Sequence, residues 1–449
     1  MTVAADQLVE RVWERDPTVW TGQDEANWLG WLDEPLRELD LSGLPVGEYA
    51  SAVVLGMGGS SLAPEVFRRS FGAGNVHVID TTHPAAIRTL QSGIDPGDTF
   101  FVASSKSGTT LETRSQLEHF WQLAGREPER FAVVTDPGSE LETLARERGF
   151  RAVFHGEPTI GGRYSALSAF GMVAAALCGA SPERLRDRAR EMADACRAPD
   201  SPGAELGLRF GNGWREGRNK ICIDETPGGF GLWAEQLVAE STGKQGKGLV
   251  PAPGELPEGP DRQHGEVRVG ADPYDLGAEL YRWEFAVAVA GSIMEINPFD
   301  QPDVQAAKDR TNEILAAGGE PDVQPHGSID ELVAGAREGD YICIQAFVDP
   351  SEESIRVLDR LIKRIRAQTG LVTTHGFGPR YLHSTGQLHK GGPPIGNFIQ
   401  VVDDTGDEIP IPGKDFGFGK LIHAQAAGDF ALLEERRRPI VRVRLEDLY

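Results

Sequence analysis

Short apolar runs alternate with helix-like segments along much of this 449-residue chain. In the first half the strand-like runs are residues 52–55, 76–79, 99–103, 131–135 and 151–154, and an alanine-rich helix is predicted at 166–177. Apolar strands that are separated by helices are typical of parallel sheets with helices on both faces. The pattern therefore predicts an α/β fold built on doubly wound parallel sheets.

The chain is long enough for two or three domains, each with its own core. Prolines and a glycine at 198–203 suggest a boundary, and a strand at 220–223 opens a second α/β unit. A third begins with a strand at 341–347, an amphipathic helix at 353–369 and a strand at 398–402, whereas 251–261 is predicted to be a loop. We therefore expect an N-terminal helical segment at 1–45, two doubly wound α/β domains at 46–200 and 201–335, and a C-terminal α/β segment at 336–449.

Composition excludes several classes of partner. The formal net charge of -23 would repel nucleic acid or an anionic membrane at long range. The four cysteines are scattered without a Cys-x-x-Cys pair, so we expect neither a disulfide framework nor a zinc site. We find no signal peptide and no apolar run of the ~20 residues that span a bilayer, so we expect a cytoplasmic protein.

Two turns follow apolar strands and are rich in small hydroxyl residues. Residues 104–113 read Ser-Ser-Lys-Ser-Gly-Thr-Thr-Leu-Glu-Thr, and residues 56–61 read Gly-Met-Gly-Gly-Ser-Ser. Hydroxyls, backbone N–H groups and an ammonium at a helix start can surround a phosphate. The predicted phosphate ligands are Gly59, Ser60, Ser105, Lys106, Ser107 and Thr110. The alternatives are a Ser/Thr-rich helix cap and a nucleotide loop, but the spacings of a dinucleotide fingerprint and of a P-loop are both absent.

At these two turns the chain resembles the sugar isomerase superfamily and, within it, the phosphoglucose isomerases. Residues 56–61 and 105–113 resemble that family's glycine turn and its serine- and threonine-rich loop, with Ser107 and Gly108 as departures. Three further motifs follow in the family's order: Gly-Gly-Arg-Tyr-Ser at 161–165, Gln-Leu-Val-Ala-Glu-Ser-Thr-Gly-Lys at 236–244, and Asn-Pro-Phe-Asp-Gln at 297–301, which leads to a lysine at 308.

The resemblance implies roles for these residues in aldose–ketose isomerisation. Glu240 would be the base that carries a proton between C1 and C2, Arg163 would stabilise the enediolate, and Lys308 would assist ring opening. Gln236, on the same helix face as Glu240, and Gly162 would contact the substrate. Each of these charged side chains could instead be an ordinary solvated surface residue. No cofactor and no metal are implied.

The ring-opening histidine is where the sequence departs from the family's usual order. Between Glu240 and Lys308 the only histidine is His264. The closer match to the family's histidine motif comes after Lys308, at His383 in the string Leu-His-Ser-Thr-Gly-Gln-Leu-His-Lys-Gly. Chain order favours His264 and motif similarity favours His383; either could be structural. The displaced order resembles the isomerase half of fused transaldolase–phosphoglucose isomerase proteins, and we expect a free-standing isomerase of that type.

The activity that the resemblance implies is interconversion of glucose 6-phosphate and fructose 6-phosphate through a cis-enediol, as in glycolysis and gluconeogenesis. Ser107 and Gly108 leave open a dual specificity that includes mannose 6-phosphate. A non-catalytic sugar-phosphate sensor is the alternative from another class, although a sensor has no need of Glu240, Arg163 and Lys308. The resemblance also implies a homodimer.

Overall fold

The computed structural model describes residues 5–198 and 200–449. Its first sheet contains β1 (Ser51–Gly56), β2 (Val76–Ile79), β3 (Thr99–Ser104), β4 (Phe131–Thr135) and β5 (Ala152–His155), in the order β2-β1-β3-β4-β5. All of its neighbouring strands are parallel. The predicted α/β class is therefore confirmed, and the five strands of the first half lie where their apolar runs predict them.

Two smaller parallel sheets follow. β6 (Lys220–Ile223), β7 (Val250–Pro253) and β8 (Arg262–Gly265) form the order β7-β6-β8. β9 (Tyr341–Phe347), β10 (Val372–Phe377), β11 (Gly396–Val402) and β12 (Ile440–Arg444) form the order β10-β9-β11-β12. Strand β10 contacts β7, so the two sheets meet at their edges. The prediction of a loop throughout 251–261 is wrong at its start, because Pro251–Pro253 continue strand β7.

Fifteen α-helices are described for residues 5–198 and 200–449. They are α1 (Ala5–Trp13), α2 (Leu62–Ser70), α3 (Pro84–Gly93), α4 (Leu111–Leu123), α5 (Glu140–Arg148), α6 (Ala169–Leu177), α7 (Pro182–Ala195), α8 (Pro202–Arg215), α9 (Gly231–Thr242), α10 (Asp275–Met294), α11 (Val304–Ala316), α12 (Ile329–Gly335), α13 (Glu352–Thr369), α14 (Gly386–Gly391) and α15 (Phe418–Glu435). None of these helices is both long and apolar enough to cross a membrane.

The largest hydrophobic core extends across the proposed boundary near residue 200. Helix α10 is buried over most of its length and packs on α7, α8 and α9. The same core includes Trp31 from the N-terminal segment and Trp233 from α9. The proposed domains therefore share a core, and their limits remain a proposal. All four cysteines are free and buried.

Candidate active site

The two hydroxyl-rich turns begin side by side because β1 and β3 are neighbours in the sheet. Gly56, at the end of β1, is in register with Ser104, at the end of β3. The chain leaves β1 towards β2 on one side and returns to β3 on the other, so the crevice at these carboxyl ends is a topological switch point. Ligands of open α/β sheets bind at such crevices.

Two glycines let the first turn pack between two other segments of the site. Gly58 has φ +54°, and a Cβ there would lie 2.5 Å from the carbonyl oxygen of His383. A Cβ on Gly59 would overlap the carbonyl oxygen of Gly162. Only glycine permits this approach without a shift of the backbone. The turn thereby brings the segments that carry His383 and Arg163 to the same place.

In the second turn the side-chain hydroxyls lie within hydrogen-bond distance of one another. Ser105 Oγ lies 3.0 Å from Thr110 Oγ1 and accepts a hydrogen bond from the backbone N–H of Gly108 at 3.2 Å. Ser107 Oγ lies 3.0 Å from Thr109 Oγ1. Helix α4 begins immediately afterwards at Leu111, so its N-terminal N–H groups are next to these hydroxyls. The arrangement can hold an anion such as a phosphate group.

Lys106 does not direct its ammonium towards the hydroxyls of this turn, which together with the N-terminus of α4 form the cradle for the predicted phosphate. The Nζ group pairs with Asp136 and donates to the carbonyl oxygen of Glu157 at 3.2 Å. The ammonium is therefore engaged elsewhere in this structure, and its role as a phosphate ligand stays a prediction. Asp136 follows the neighbouring strand β4, and its carboxylate attracts the ammonium more strongly than neutral hydroxyls do.

The predicted base, Glu240, lies in the last turn of α9 and is 12 % exposed. Gln236 Nε2, one turn earlier, donates to Glu240 Oε2 at 2.9 Å, and the same nitrogen donates to the carbonyl oxygen of His383 at 2.9 Å. Arg163 Nη1 lies 3.4 Å from Glu240 Oε1. Gln236 and Glu240 lie on the same face of α9, so this one glutamine can bond both to Glu240 and to the segment that carries His383.

Arg163 follows two flexible glycines, but its guanidinium is fixed by hydrogen bonds from all three of its nitrogens. Its side chain is 1 % exposed, and Nε donates to Ser241 Oγ at 2.8 Å. Nη1 donates to Gln301 Oε1 at 2.9 Å, and Nη2 donates to the carbonyl oxygens of Pro298 and Asp300, both at 2.8 Å. The guanidinium is therefore a fixed positive charge beside the Glu240 carboxylate.

The segment after α10 also accepts hydrogen bonds from a second positively charged side chain, that of Lys244, near Arg163. Lys244 Nζ donates to the carbonyl oxygen of Asn297 at 2.8 Å and to Asp300 Oδ1 at 2.5 Å. Burial, followed by the charge of Arg163, lowers the pKa of Lys244 to about 8, against the opposing effect of Asp300. Lys244, the last residue of the motif at 236–244, thus fixes the segment that anchors Arg163.

His383 is paired with a carboxylate that the sequence analysis did not single out. Its Nε2 lies 2.8 Å from Glu112 Oε1, at the start of α4. Burial acts to raise the pKa of Glu112, but the charge and hydrogen bond of His383, with a contribution from Lys308, leave that pKa below its ordinary value. Glu112 lies within residues 105–113, which resemble the family's loop, and this similarity was the only sequence feature that could have pointed to it.

A cavity of about 310 Å³ lies beside this pair. It is lined by Thr110, Glu112, Lys308, Asn312, His383 and Gln425, among others. Lys308, on α11 as predicted, thus shares a cavity with His383. Volumes of about 300 Å³ and above are usual for small-molecule sites.

His264 does not join the other predicted residues. It lies in β8, is 45 % exposed, and places Nε2 2.8 Å from Asp224 Oδ1. It is not among the residues that line the cavity beside Lys308 and His383. Within the described part of one chain the geometry therefore places His383, and not His264, beside Lys308, and the identity of the ring-opening histidine stays a prediction.

The comparisons with known proteins agree with the motifs. Residues 31–192 match the sequence model of the phosphoglucose isomerase family, a range that includes both turns and Arg163. The resemblance predicted from the motifs is confirmed. Glu240, Lys308 and His383 lie beyond the range of that match.

Similar proteins named glucose-6-phosphate isomerase occur in Gloeothece citriformis (30 % identity over 53 % of this chain and 50 % of the relative) and Synechococcus sp. strain JA-3-3Ab (29 % over 66 % and 56 %). The chain thus spans about half the length of these curated relatives. A solved glucose-6-phosphate isomerase from Chlamydia trachomatis aligns with a TM-score of 0.56 and 18 % identity, over 70 % of this chain and 84 % of that one. This structure supports the fold. The likeness to fused proteins remains a prediction.

Proposed function

We propose that this protein interconverts glucose 6-phosphate and fructose 6-phosphate through a cis-enediol. The observation that carries the proposal is the convergence of Glu240, Arg163 and the His383–Glu112 pair around the glycine turn. A carboxylate base, a fixed cation and an acid–base histidine are the groups that this reaction needs. The similarity to phosphoglucose isomerases supports the same activity.

Phosphate binding would fix the distance from the cradle to the reacting carbons. In the proposal, the hydroxyls of Ser60, Ser105, Ser107 and Thr110, together with N–H groups at the start of α4, hold the phosphate. The cradle offers neutral donors because Lys106 is paired with Asp136. Positioning by a remote group is an effective use of binding energy, because it lowers the entropic cost of reaching the transition state.

Ring opening would use His383. A hydrogen bond from Nε2–H to Glu112 leaves Nδ1 as the nitrogen that exchanges a proton with the sugar. The ring oxygen gains a proton and the anomeric hydroxyl loses one as the C1–O5 bond of the aldose breaks. Lys308, in the same cavity, supplies a positive charge near the oxygens that change charge.

Proton transfer would then follow on the open chain. Glu240 first removes the proton from C2 of the aldose while the carbonyl oxygen at C1 gains a proton, so that the C1–C2 double bond of the enediol forms. Glu240 then returns its proton to C1, and the hydroxyl at C2 loses its proton to become the ketone. Gln236 orients one carboxylate oxygen of Glu240 and Arg163 faces the other. Arg163 also stabilises negative charge that develops on the sugar oxygens.

The structure offers a packing reason for Gly108, one of the two residues that leave dual specificity open. Gly108 has φ +73°, and a Cβ there would lie 2.7 Å from the backbone nitrogen of Leu141, at the start of α5. Its small size is therefore required by packing against α5. We propose glucose 6-phosphate and fructose 6-phosphate as the preferred pair, with mannose 6-phosphate as the poorer substrate.

A coupled assay of fructose 6-phosphate, glucose 6-phosphate and mannose 6-phosphate tests this proposal. We expect turnover of the first two, a markedly lower kcat/KM for mannose 6-phosphate, and a loss of turnover of about 10²-fold or more after Glu240→Gln. Sugar phosphate that binds without turnover in the wild-type protein would identify a sensor and refute the proposal. Equal turnover of the mannose and glucose esters would establish the dual specificity.

We further propose, from the same resemblance, that the protein is a cytoplasmic homodimer that acts in glycolysis and gluconeogenesis. Light scattering coupled to size-exclusion chromatography measures the mass in solution. A mass near twice the 48.7 kDa of one chain is expected, and a mass equal to that of one chain would contradict the dimer.

A further inference from the structure

Gln425 connects three distant parts of the chain next to the proposed ring-opening pair. It lies on α15 and is 2 % exposed. Its Nε2 donates to Glu112 Oε1 at 2.7 Å, and its Oε1 accepts from Thr82 Oγ1 at 2.8 Å. Thr82 is itself fully buried in the segment between β2 and α3. The motifs gave no role to either Gln425 or Thr82.

The chemistry of the three groups fixes the direction of each hydrogen bond. An ionised Glu112 can only accept, so the amide must turn its NH₂ group towards it. The amide oxygen then faces Thr82, whose hydroxyl donates and prevents the amide from flipping. His383 Nε2 donates to the same Oε1 atom of Glu112 that Gln425 binds. One carboxylate oxygen thus receives hydrogen bonds from an amide and an imidazole.

Two donors on one oxygen restrict the rotation of the Glu112 carboxylate. The orientation of that carboxylate determines which nitrogen of His383 carries the proton and where the ring points. Small displacements of an acid–base group are costly to catalysis, because proton transfer needs hydrogen-bond distance and alignment. A residue that holds Glu112 therefore acts on His383 through that carboxylate.

We propose that Gln425 is a positioning residue for ring opening: oriented by Thr82, it holds Glu112 so that His383 keeps its proton on Nε2 and presents Nδ1 to the sugar. The kinetic part of this proposal rests on the proposed isomerase function. The structural part, which concerns the tautomer of His383, does not.

The kinetic test compares two substrates. Gln425→Met keeps the length of the side chain and removes both hydrogen-bonding groups. We expect it to lower kcat/KM for a cyclic hexose 6-phosphate by roughly ten- to a hundredfold, and to spare an aldose phosphate that cannot cyclise. Thr82→Val, which removes the hydroxyl that donates to Gln425 Oε1, should give a smaller loss with the same selectivity.

Two controls separate positioning from general damage. Gln263→Met removes another buried glutamine, whose Nε2 donates to the carbonyl oxygens of Phe210 and Arg218. It should not change the ratio of the two kcat/KM values. In a His383→Ala background, Gln425→Met should cause no further loss on the cyclic substrate, because both changes remove the same function.

The tautomer is measured directly by ¹⁵N NMR of the histidine side chains in the free protein. We expect His383 to be protonated on Nε2 in the wild type and to show a mixture of tautomers in Gln425→Met. If neither the tautomer nor the substrate ratio changes in Gln425→Met, the positioning role is refuted. If the wild type is inactive, the proposed function fails, and the NMR measurement still decides the role of Gln425.

Discussion

The two carboxylates of the site differ in the residues that hold them. Glu240 is bonded by an amide from its own helix and faces a buried arginine, whereas Glu112 is bonded by a histidine and by an amide from α15. Sites that use two carboxyl groups for different tasks separate them by environment. In the proposed mechanism, Glu240 exchanges a proton with a carbon atom and Glu112 orients His383.

The two histidines give a direct comparison of motif against chain order. We expect His383→Ala to reduce turnover of a cyclic hexose phosphate by about 10²-fold or more, because an acid–base group typically contributes that much. The same change should spare a substrate that cannot cyclise. His264→Ala removes an exposed histidine bonded to Asp224 and should leave both rates near the wild-type values. A selective defect in His264→Ala would instead restore chain order as the guide.

The hydroxyls of the cradle should act on binding more than on the chemical step. Ser105→Ala and Thr110→Ala each remove one partner of a hydroxyl pair. We expect each to weaken sugar-phosphate binding by about 1–3 kcal/mol, the range for hydrogen bonds to a charged group. Isothermal titration with a phosphorylated sugar acid measures this loss. Unchanged affinity in both variants would place the phosphate elsewhere.

At the level of elements, the glycine turn after β1 should be intolerant of a single methyl group. In Gly59→Ala the new Cβ would overlap the carbonyl oxygen of Gly162, which precedes Arg163 in the chain. We expect a loss of activity of about 10²-fold, because the turn and the arginine must move apart. Gly74→Ala is the control, since a Cβ there meets nothing within 4 Å. Equal activity in both variants would show that the turn has room to adjust.

The sequence predicted the elements whose apolar runs are continuous and missed those whose runs are broken. β1, β3 and β4 are buried inner strands of a parallel sheet, so their sequences are largely apolar. β7 contains Pro251 and Pro253, and β8 contains Arg262 and His264. Both flank β6 in a sheet of only three strands, where edge positions tolerate proline and polar side chains.

The assembly of the site depends on contacts that no local pattern records. Glu112 and His383 are 271 residues apart in the chain, and Glu112 and Gln425 are 313 apart. Motif similarity placed His383 among the candidates, whereas Gln425 lies on a helix with no recognisable motif. The sequence could therefore predict the chemistry of the site but not the residues that orient it.

For the whole molecule, we expect one buried carboxyl group to make stability depend on pH. Burial raises the pKa of Glu34 to about 7 from 4.5, against the opposing charges of Arg186 and Arg37. Between pH 4.5 and 7 the folded state therefore binds more protons at this position than the unfolded state, and its contribution to stability falls as the pH rises. Glu34→Gln removes this loss.

The stability of Glu34→Gln relative to the wild type should consequently increase from pH 5 to pH 8, by up to about 3 kcal/mol. Urea unfolding followed by tryptophan fluorescence measures it, since Trp31 is buried in the same segment. Glu38→Gln, at an exposed position nearby, is the control. A stability difference that is the same at both pH values would contradict a buried, protonated Glu34.

Isomerisation of fructose 6-phosphate in D₂O, followed by NMR, tests whether Glu240 moves a proton between C1 and C2 of the open-chain sugar. We expect the wild type to form glucose 6-phosphate with some solvent deuterium at C2, because a proton held on a carboxylate can exchange. Glu240→Gln should bind the substrate yet lose turnover and deuterium incorporation by 10²-fold or more. Isomerisation without any deuterium in the product, or a Glu240→Gln variant that retains more than a tenth of the wild-type rate, would show that Glu240 is not the proton-transfer base.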